Sequence, residues 1–203
     1  MDHPAEPPIP HKSILMVCRT LNHAALRPLP EGLTMRLCRP DELDVWKELQ
    51  AAPRDGSSRE ALDRYYDKWF APYGDLFFHS CTFVCDQSGT PIGTGFIWKP
   101  EGQPTLLHWI KVLQAHEGRG IGRALVSQLM RDLPQSDYPV YLHTQPASYR
   151  AVKLYSDLGF DLVAPPGSID GRPNELAEAL PYLERHLRPE DFRRLRIVPL
   201  KEG

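Results

Sequence analysis

The sequence lacks the features that several large classes of protein require. No stretch approaches the roughly 18 consecutive apolar residues that cross a bilayer, and residues 1–10 have no apolar run behind a basic head, so no membrane span or targeting signal is predicted. The 24 Lys and Arg residues are offset by 26 Asp and Glu residues, a formal charge of −2, which disfavours nucleic-acid binding through bulk charge. We expect a cytoplasmic protein that binds neither membrane nor nucleic acid.

The sequence lacks the cysteine spacing that metal binding or redox chemistry requires. Cys18, Cys38, Cys81 and Cys85 form no Cys-x-x-Cys pair, and no Cys/His spacing matches a zinc site. The ordinary interpretation is reduced thiols in the core of a cytosolic protein, because free cysteine is often buried. No metal is predicted.

Proline, in contrast, is abundant: there are 21 in 203 residues, where about 5% is usual. The prolines concentrate toward both ends, and since proline interrupts helices and central strands, the regular core is predicted in the middle. We interpret residues 1–32 as a Pro-rich N-terminal extension, residues 33–203 as one domain, and residues 164–195 as an insertion-like stretch within it. A helical leucine spacing near residue 180 is predicted to be kinked or restarted by Pro181.

The periodicity of apolar residues predicts alternating strands and helices. Strands are predicted at 14–17, 33–39, 81–86, 92–99, 105–112, 140–145, 160–163 and 196–200. Helices are predicted from Pro40 onward and at 58–70, 120–132 and 147–158. A meander of strands followed by helix, strand, helix and strand favours an α/β sheet with mixed strand directions.

The most informative segment is residues 112–125, where a strand leads into a glycine-rich turn and an amphipathic helix. Glycines let backbone N–H groups approach a ligand, and a helix N-terminus adds unpaired donors and a positive dipole end, a combination typical of phosphate binding. The spacing Gly-x-Gly-x-Gly fits neither the Rossmann fingerprint nor a Walker loop. The glycines alone also allow a tight turn that merely packs a helix against a strand.

The context of these glycines resembles the GNAT superfamily of N-acetyltransferases. That family's acetyl-CoA pyrophosphate motif is matched in register by Val112, Gly120, Ile121, Gly122, Ala124 and Leu125. Its second motif is matched by Ala151, Leu154, Tyr155, Gly159 and Phe160. The resemblance is tight over residues 105–163, loose back to Leu33, and absent from residues 1–32 and 164–195.

The resemblance implies a single GNAT-like domain over residues 33–203. Its fold class would be α/β (α+β), with a mixed, mostly antiparallel, twisted sheet flanked by helices and two central parallel strands splayed around the cofactor. The implied reaction moves an acetyl group from acetyl-CoA, a co-substrate, directly to a primary amine of a small molecule or peptide.

The resemblance also implies which residues bind acetyl-CoA. Main-chain groups of Ile110, Lys111 and Val112 would pair with the pantetheine arm and stabilise charge on the thioester oxygen. The pyrophosphate would be held by the loop residues Glu117, Gly118, Arg119, Gly120, Ile121, Gly122 and Arg123. Two positions depart from the family: Glu117 stands where the family has Arg or Gln, and Ser148 replaces an Asn beside the pantetheine. We therefore expect weakened rather than abolished binding.

Three residues are candidates for the chemistry. Tyr155 matches the family tyrosine near the cofactor sulfur, and a phenol with a pKa of about 10 can protonate a departing thiolate. His143 and His108 compete as the base that removes the amine proton. His143 lies where some family members carry a catalytic glutamate, and His108 is predicted to share a face with Ile110 and Val112. A structural role for either histidine, or a water chain without a single base, stays open.

Several alternatives remain at this level. The acyl group could be longer, the acceptor could be an oxygen, or the chain could be a catalytically weak or inactive acyl-CoA-binding module on the same fold. Glu117 and Ser148 favour the module, whereas Tyr155 and the intact glycines favour the enzyme. An aromatic cluster at residues 69–78 could line a substrate pocket or belong to the core. Sheet edges would allow a homodimer.

Overall fold

The computed structural model describes residues 11–51 and 58–200. The chain divides into two compact units, which we call the central unit (residues 23–140) and the terminal unit (residues 11–22 with residues 141–200). Both units combine helices with strands, and most of the strand pairs are antiparallel. The predicted mixed α/β class is confirmed. The predicted splaying involves one strand from each unit and stays a prediction.

The elements agree closely with the predicted ones apart from their end residues. The strands of the described residues are β1 (Ile14–Cys18), β2 (Thr34–Leu37), β3 (Thr82–Cys85), β4 (Pro91–Trp98), β5 (Thr105–Val112), β6 (Val140–Thr144), β7 (Phe160–Val163) and β8 (Ile197–Val198). The α-helices of the same residues are α1 (Leu43–Gln50), α2 (Arg59–Trp69), α3 (Leu76–Ser80), α4 (Ile121–Arg131), α5 (Tyr149–Asp157), α6 (Leu176–His186) and α7 (Pro189–Phe192). The sequence patterns do not predict the short helices α3 and α7.

The strands of the central unit form an antiparallel meander in the order β2, β3, β4 and β5. Helix α4 covers one face of this meander through aliphatic side chains, with Ile121 and Leu125 buried against Val84. The other face carries aromatic rings, and the ring of Phe96 lies 5.6 Å from that of Phe70. The two faces therefore have different chemistry: an aliphatic support under α4 and an aromatic layer toward α2.

The start of α1 is held by a carboxylate with several donors. The guanidinium of Arg36 donates to both oxygens of Glu42 at 2.6 and 2.8 Å, and the Arg39 backbone N–H donates at 3.0 Å. The hydrogen bonds from Arg36 lower the pKa of the Glu42 carboxyl, against the opposing effect of its desolvation. Glu42 therefore joins strand β2 to the beginning of the helix through an ionised contact.

Strand β5 carries a bulge where it pairs with β4. Residues 94–96 of β4 face residues 108–111 of β5, so Trp109 and Ile110 together oppose the single residue Gly95. Trp109 has a φ of 52°, in the left-handed region that a bulky residue rarely adopts. Gly95 makes room for this arrangement, because a Cβ there would lie 2.3 Å from Ile110 Cδ1.

The bulge overturns one expectation about the faces of β5. His108 packs on the aromatic layer, with its ring 5.8 Å from Phe70 and 5.7 Å from Phe96. Ile110 and Val112 instead pack with the aliphatic residues beneath α4. The prediction that these three residues share a face is wrong, because an extra residue in the strand reverses the alternation of side chains after it.

In the terminal unit the strand order is β6, β1, β7 and β8. Strand β1 pairs antiparallel with β7, its five residues are all fully buried, and β7 pairs parallel with β8. A strand at residues 14–17 is thus confirmed, and it lies in the middle of this set of strands. All four cysteines of the chain lie in the described residues, where they are buried and free of disulfides.

Helix α6 includes Pro181 without a break, so the predicted restart is wrong, and a kink at Pro181 stays a prediction. The proline costs the helix one backbone hydrogen bond. Buried Leu176, Ala179 and Leu183 hold the inner face of the helix in place. None of the helices in the described ranges has both the length and the apolar character needed to cross a membrane.

Candidate functional site

The glycine-rich loop between β5 and α4 adopts a conformation that requires glycine. Gly118 and Gly120 have φ values of 76° and 79°, which other L-residues adopt only with strain. A Cβ built on either would meet no atom of the described residues within 4 Å. These two glycines therefore do not serve to pack a helix against a strand. They shape a turn whose backbone faces open space, which disfavours the packing interpretation left open by the sequence.

Helix α4 begins directly after this turn. Its N-cap is Gly120, whose carbonyl accepts from the Ala124 N–H at 3.0 Å. The N–H groups of residues 121 and 122 in the first turn have no carbonyl partner within the helix, and the N-cap Gly120 has no side chain to accept from them. Ile121 is 2% exposed and fixes the helix start against the core, while Gly122 and Arg123 are half-buried. The arrangement presents oriented donors and a positive helix end to a negatively charged group.

The charged residues of the loop lie at its outer side. Glu117, Gly118, Arg119 and Gly120 are all exposed. The Glu117 N–H is already used inside the loop, where it donates to the Gln114 carbonyl at 3.2 Å. The backbone donor of Glu117 is thus committed to the protein itself. Its side chain adds negative charge at an exposed position of the loop, as expected from the sequence.

The end of β5 supplies backbone groups rather than side chains. The bulge takes main-chain groups near Ile110 out of the regular ladder, since an extra residue of a bulge stays unpaired. The carbonyl of Trp109 accepts from Gln50 Nε2 at 3.1 Å, which ties the bulge to α1. Leu113 N–H donates to the Ile92 carbonyl at 2.9 Å and closes the strand. The side chains of Ile110 and Val112 are partly buried and pack against the aliphatic cluster beneath α4.

His108 lies in an aromatic environment. Its Nε2 atom is 3.5 Å from the hydroxyl of Tyr65, which projects from α2. The Tyr65 ring lies 5.0 Å from that of Trp109, edge to face. In the predicted aromatic cluster, Phe70 and Phe77 are completely buried, so for them the core interpretation is confirmed.

The outer part of that cluster is different. Trp69 and Tyr73 are each 43% exposed, and the Tyr73 ring contacts Trp98 at 5.4 Å. Aromatic surface is therefore available beside the layer that contains His108, on the face of the meander opposite α4.

In the terminal unit, Tyr155 lies on α5 and is 6% exposed. Its ring is 5.8 Å from that of Phe160, within the second family-like motif. Burial raises the pKa of the Tyr155 hydroxyl well above its ordinary value. The side chain therefore stays a neutral phenol over the whole physiological range, the state needed in a proton donor.

Ser148 occupies the position directly before α5. It ends a short 3-10 turn in which its N–H donates to the Gln145 carbonyl at 2.9 Å. Among the described residues its hydroxyl makes no capping bond to α5, and the residue is half-buried. A hydroxyl here keeps its capacity to donate and accept toward a ligand.

His143 of β6 lies between two polar side chains that the sequence analysis did not connect with it. Its Nε2 atom is 3.2 Å from Asp170 Oδ1, and its Nδ1 atom is 3.4 Å from Ser13 Oγ. The His143 side chain is 9% exposed. Burial opposes ionisation of Asp170, but the contact with His143 and the charge of Arg172 outweigh it and lower the pKa of this carboxyl.

The predicted site residues thus fall into two groups, one in each unit. The central unit brings together His108, Ile110, Lys111, Val112, Glu117, Gly118, Arg119, Gly120, Ile121, Gly122 and Arg123. The terminal unit holds His143, Ser148 and Tyr155. Sequence reasoning missed Ser13 and Asp170, which lie where the family resemblance fails. Within the described ranges, no three His, Cys, Asp or Glu side chains converge as a metal site would require.

The sequence was compared with models of known protein families and with curated protein sequences. The sequence profile of the Acetyltransferase (GNAT) family matches residues 43–160, more than half of the chain. No curated protein sequence matches this chain.

Solved structures show the same fold at low identity. An acetyltransferase of the GNAT family from Colwellia psychrerythraea is 18% identical, with a TM-score of 0.57 over 77% of this chain and 54% of that one. A tandem GNAT protein from the clavulanic acid biosynthesis pathway is 16% identical, with a TM-score of 0.56 over 77% and 51% of the two chains. A GCN5-related N-acetyltransferase from Sphaerobacter thermophilus is 21% identical, with a TM-score of 0.50 over 75% and 49%. This chain aligns with about half the length of each.

Proposed function

This chain belongs to the GNAT family of acetyltransferases, and from that premise we propose that it transfers an acetyl group from acetyl-CoA to a primary amine of a small molecule or peptide. The proposed setting is the cytoplasm, where buried free thiols stay reduced. The proposed chemistry uses no metal.

One observation carries the proposal: the backbone of the glycine loop is open and left-handed directly before α4. A Cβ at Gly118 or Gly120 would enter space that no described atom occupies. The N–H groups of residues 121 and 122, directly after this turn, lack carbonyl partners within the helix. A pyrophosphate fits such a site because its oxygens accept several backbone hydrogen bonds and its charge suits the helix end.

The residues that would hold acetyl-CoA are those that the family resemblance implies. Gly118, Gly120 and the first turn of α4 would donate to the pyrophosphate, with Arg119 and Arg123 adding charge. Main-chain groups from Ile110 to Val112 would bind the pantetheine arm, and Ser148 would donate a hydrogen bond to it. Bound acetyl-CoA supplies an acetyl group activated as a thioester.

The chain's own groups meet the three demands of the reaction. A base takes the proton of the acceptor amine, whose pKa is about 10.4 if it resembles lysine. Backbone N–H groups at the bulge near Ile110 donate to the thioester oxygen as charge develops there. The neutral hydroxyl of Tyr155 gives its proton to the departing sulfur.

Of the two candidate bases, we favour His143. A carboxylate next to the ring, such as Asp170 at 3.2 Å, stabilises the imidazolium that forms when the base takes a proton. His108 lies among the rings of Phe70, Phe96 and Trp109, and its Nε2 atom contacts the Tyr65 hydroxyl. In the proposal His108 and Tyr65 contribute to the acceptor side instead.

The test is release of the CoA thiol from acetyl-CoA across a panel of amines. We expect release that depends on the amine, and a strong loss of release in Tyr155→Phe with acetyl-CoA binding retained. Tyr182→Phe is the matched control, because Tyr182 lies on α6 with its ring stacked on His186 at 3.8 Å. The panel includes alcohols and longer acyl-CoA thioesters, so an oxygen acceptor or a longer acyl group would be detected.

The second candidate function is a catalytically weak or inactive acyl-CoA-binding module. Glu117 favours it, because its N–H is committed to Gln114 and its exposed carboxylate repels a polyphosphate. Binding of acetyl-CoA without thiol release for every acceptor would support the module. Absence of any acetyl-CoA binding, measured by calorimetry, would contradict both candidates.

A further inference from the structure

We propose that Asp170 is a positioning residue that holds the His143 imidazole with its proton on Nε2 and leaves Nδ1, in contact with the Ser13 hydroxyl, as the basic atom. The catalytic part of this inference rests on the proposed function, whereas the positioning part does not.

The contacts of the ring favour one tautomer. A carboxylate oxygen lies 3.2 Å from His143 Nε2, close enough for an electrostatic contact but outside hydrogen-bond geometry. A lone pair on Nε2 would face the lone pairs of this oxygen and be repelled, whereas an N–H is attracted to it. In the neutral ring the proton therefore belongs on Nε2. The lone pair is then on Nδ1, toward Ser13 Oγ at 3.4 Å, and the Ser13 hydroxyl is the donor to it.

Asp170 itself is held in place from two sides. Its φ of 55° is left-handed, a conformation that Asp tolerates better than most residues. Arg172 Nε lies 3.4 Å from the other carboxylate oxygen, and the Arg172 carbonyl accepts from Ser168 Oγ at 2.6 Å. Ile169, the preceding residue, packs into the buried cluster around Leu15. The carboxylate is thus fixed by a short ordered turn.

The loop from β7 to α6 is also joined to the segment that carries Ser13. The Glu175 N–H donates to the Ser13 carbonyl at 2.8 Å, and the Glu175 carboxylate accepts from the Ser13 N–H at 3.0 Å. Lys12 Nζ contacts the same carboxylate at 2.8 Å. Farther along, Asn174 Nδ2 donates to the Val163 carbonyl at 2.8 Å. The family-atypical stretch 164–195 thereby aligns both neighbours of His143.

The charges around the ring favour a base that accepts one proton. Asp170 faces Nε2, Arg172 offsets part of its charge, and Lys12 and Glu175 neutralise each other beside Ser13. Tyr141, two residues earlier on β6, packs into the apolar cluster of this unit. When a proton moves from the Ser13 hydroxyl to Nδ1, Ser13 recovers a proton from the acceptor amine. The positive charge then rests on the imidazolium, opposite the Asp170 carboxylate.

The test is nuclear magnetic resonance of protein with labelled histidine, in wild type and Asp170→Asn. The His143 signals are identified by their loss in His143→Gln. We expect the Nε2–H tautomer in the wild type and a larger population of the Nδ1–H tautomer in Asp170→Asn, because the side-chain amide of the variant can donate to Nε2 as well as accept from it. Asp161→Asn is the matched control: this carboxylate of the same unit pairs with Arg196 at 2.7 Å, and its loss should leave His143 unchanged.

Two outcomes would overturn the positioning role. A wild-type ring protonated on Nδ1 contradicts it without any variant, so a poorly folded Asp170→Asn protein does not prevent a decision. An unchanged tautomer population of His143 in folded Asp170→Asn also contradicts it. Asp170→Glu, which keeps the charge, should restore most of the Nε2–H population.

The role of His143 as the base is tested separately, by steady-state kinetics with an amine that the panel identifies as an acceptor. We expect kcat/KM to fall in Asp170→Asn in proportion to the loss of the Nε2–H tautomer, and to recover in Asp170→Glu. A tautomer population that changes while kcat/KM stays fixed would overturn His143 as the base and leave Asp170 as its positioning residue. If no amine is acetylated, the proposed function fails, and the resonance experiment still decides the positioning role.

Discussion

Replacing Gly120 by alanine separates the effect of loop conformation from the effect of ligand binding. Gly120 has a φ of 79°, and an alanine held in this left-handed region lowers the free energy of unfolding by roughly 1 to 2 kcal/mol. The added Cβ would meet no described atom within 4 Å, so steric contact does not lower the stability of the free protein further. If a pyrophosphate binds here, the same Cβ lies beside the backbone donors and disturbs them.

Gly89 provides a matched control in the same unit. It lies in the turn between β3 and β4 with a φ of 82°, and a Cβ there would also meet nothing described within 4 Å. Gly89→Ala and Gly120→Ala should therefore lower the free energy of unfolding by similar amounts, about 1 to 2 kcal/mol each. Urea unfolding measures this directly.

Only Gly120→Ala should weaken acetyl-CoA binding. Loss of one backbone hydrogen bond to a charged phosphate is worth roughly 1.5 to 3 kcal/mol, which corresponds to about a 10- to 150-fold increase in Kd. Calorimetric titration with acetyl-CoA gives the Kd of each variant. Equal Kd values for the two variants would refute the assignment of the pyrophosphate to this loop.

Three further outcomes are expected. Tyr155→Phe should lower kcat by about 10²-fold or more, while its Kd for acetyl-CoA stays close to that of the wild type. The wild type should lose no activity through ionisation of Tyr155 at mildly alkaline pH, because burial raises the pKa of this hydroxyl. Glu42→Gln should destabilise by about 2 to 4 kcal/mol in urea unfolding at neutral pH, because it removes the charged partner of Arg36. Since the pKa of Glu42 is lowered in the folded protein, its contribution to the free energy of unfolding is present above the ordinary pKa of about 4.3 and is lost as pH falls through the folded value. A stability difference between Glu42→Gln and wild type that persists in strong acid would contradict the ion pair. Gly95→Ala should destabilise by about 1 to 3 kcal/mol through contact with Ile110 Cδ1, and Ile110→Val, which lacks that atom, should recover part of the loss in a double-mutant cycle.

The glycine loop and α4 could be predicted from the sequence because their determinants are local. Gly118 and Gly120 need no distant partner to adopt positive φ, and the apolar spacing that places Ile121 and Leu125 in the core repeats within one helix. The two family-like motifs are equally local, and the profile match over residues 43–160 confirms the family that they indicated.

The bulge in β5 could not be predicted, because it depends on a cross-strand relation. The alternation of residues 105–112 is compatible with a regular strand, and only Gly95, on the neighbouring strand, leaves room for the extra residue. The face assigned to His108 was wrong for this reason. A local pattern fixes the period of a strand but not its register with the next strand.

Long-range contacts explain the other omissions. Ser13, His143 and Asp170 are far apart in sequence, and two of them lie in Pro-rich stretches without a recognisable motif. Strand β1 lies among the strands of the terminal unit although its residues fall within the stretch interpreted as an extension. Such pairings are set by tertiary packing, which a single sequence does not reveal.

The central claim is acetyl transfer to an amine, and the most direct measurement counts both products of one reaction. The protein is incubated with acetyl-CoA and the amine panel, and free CoA thiol and acetylated amine are quantified together by mass spectrometry. The account predicts equal amounts of the two products for at least one amine, with both reduced in parallel in Tyr155→Phe. Thiol release without an acetylated acceptor, or tight binding of acetyl-CoA with neither product, would contradict it.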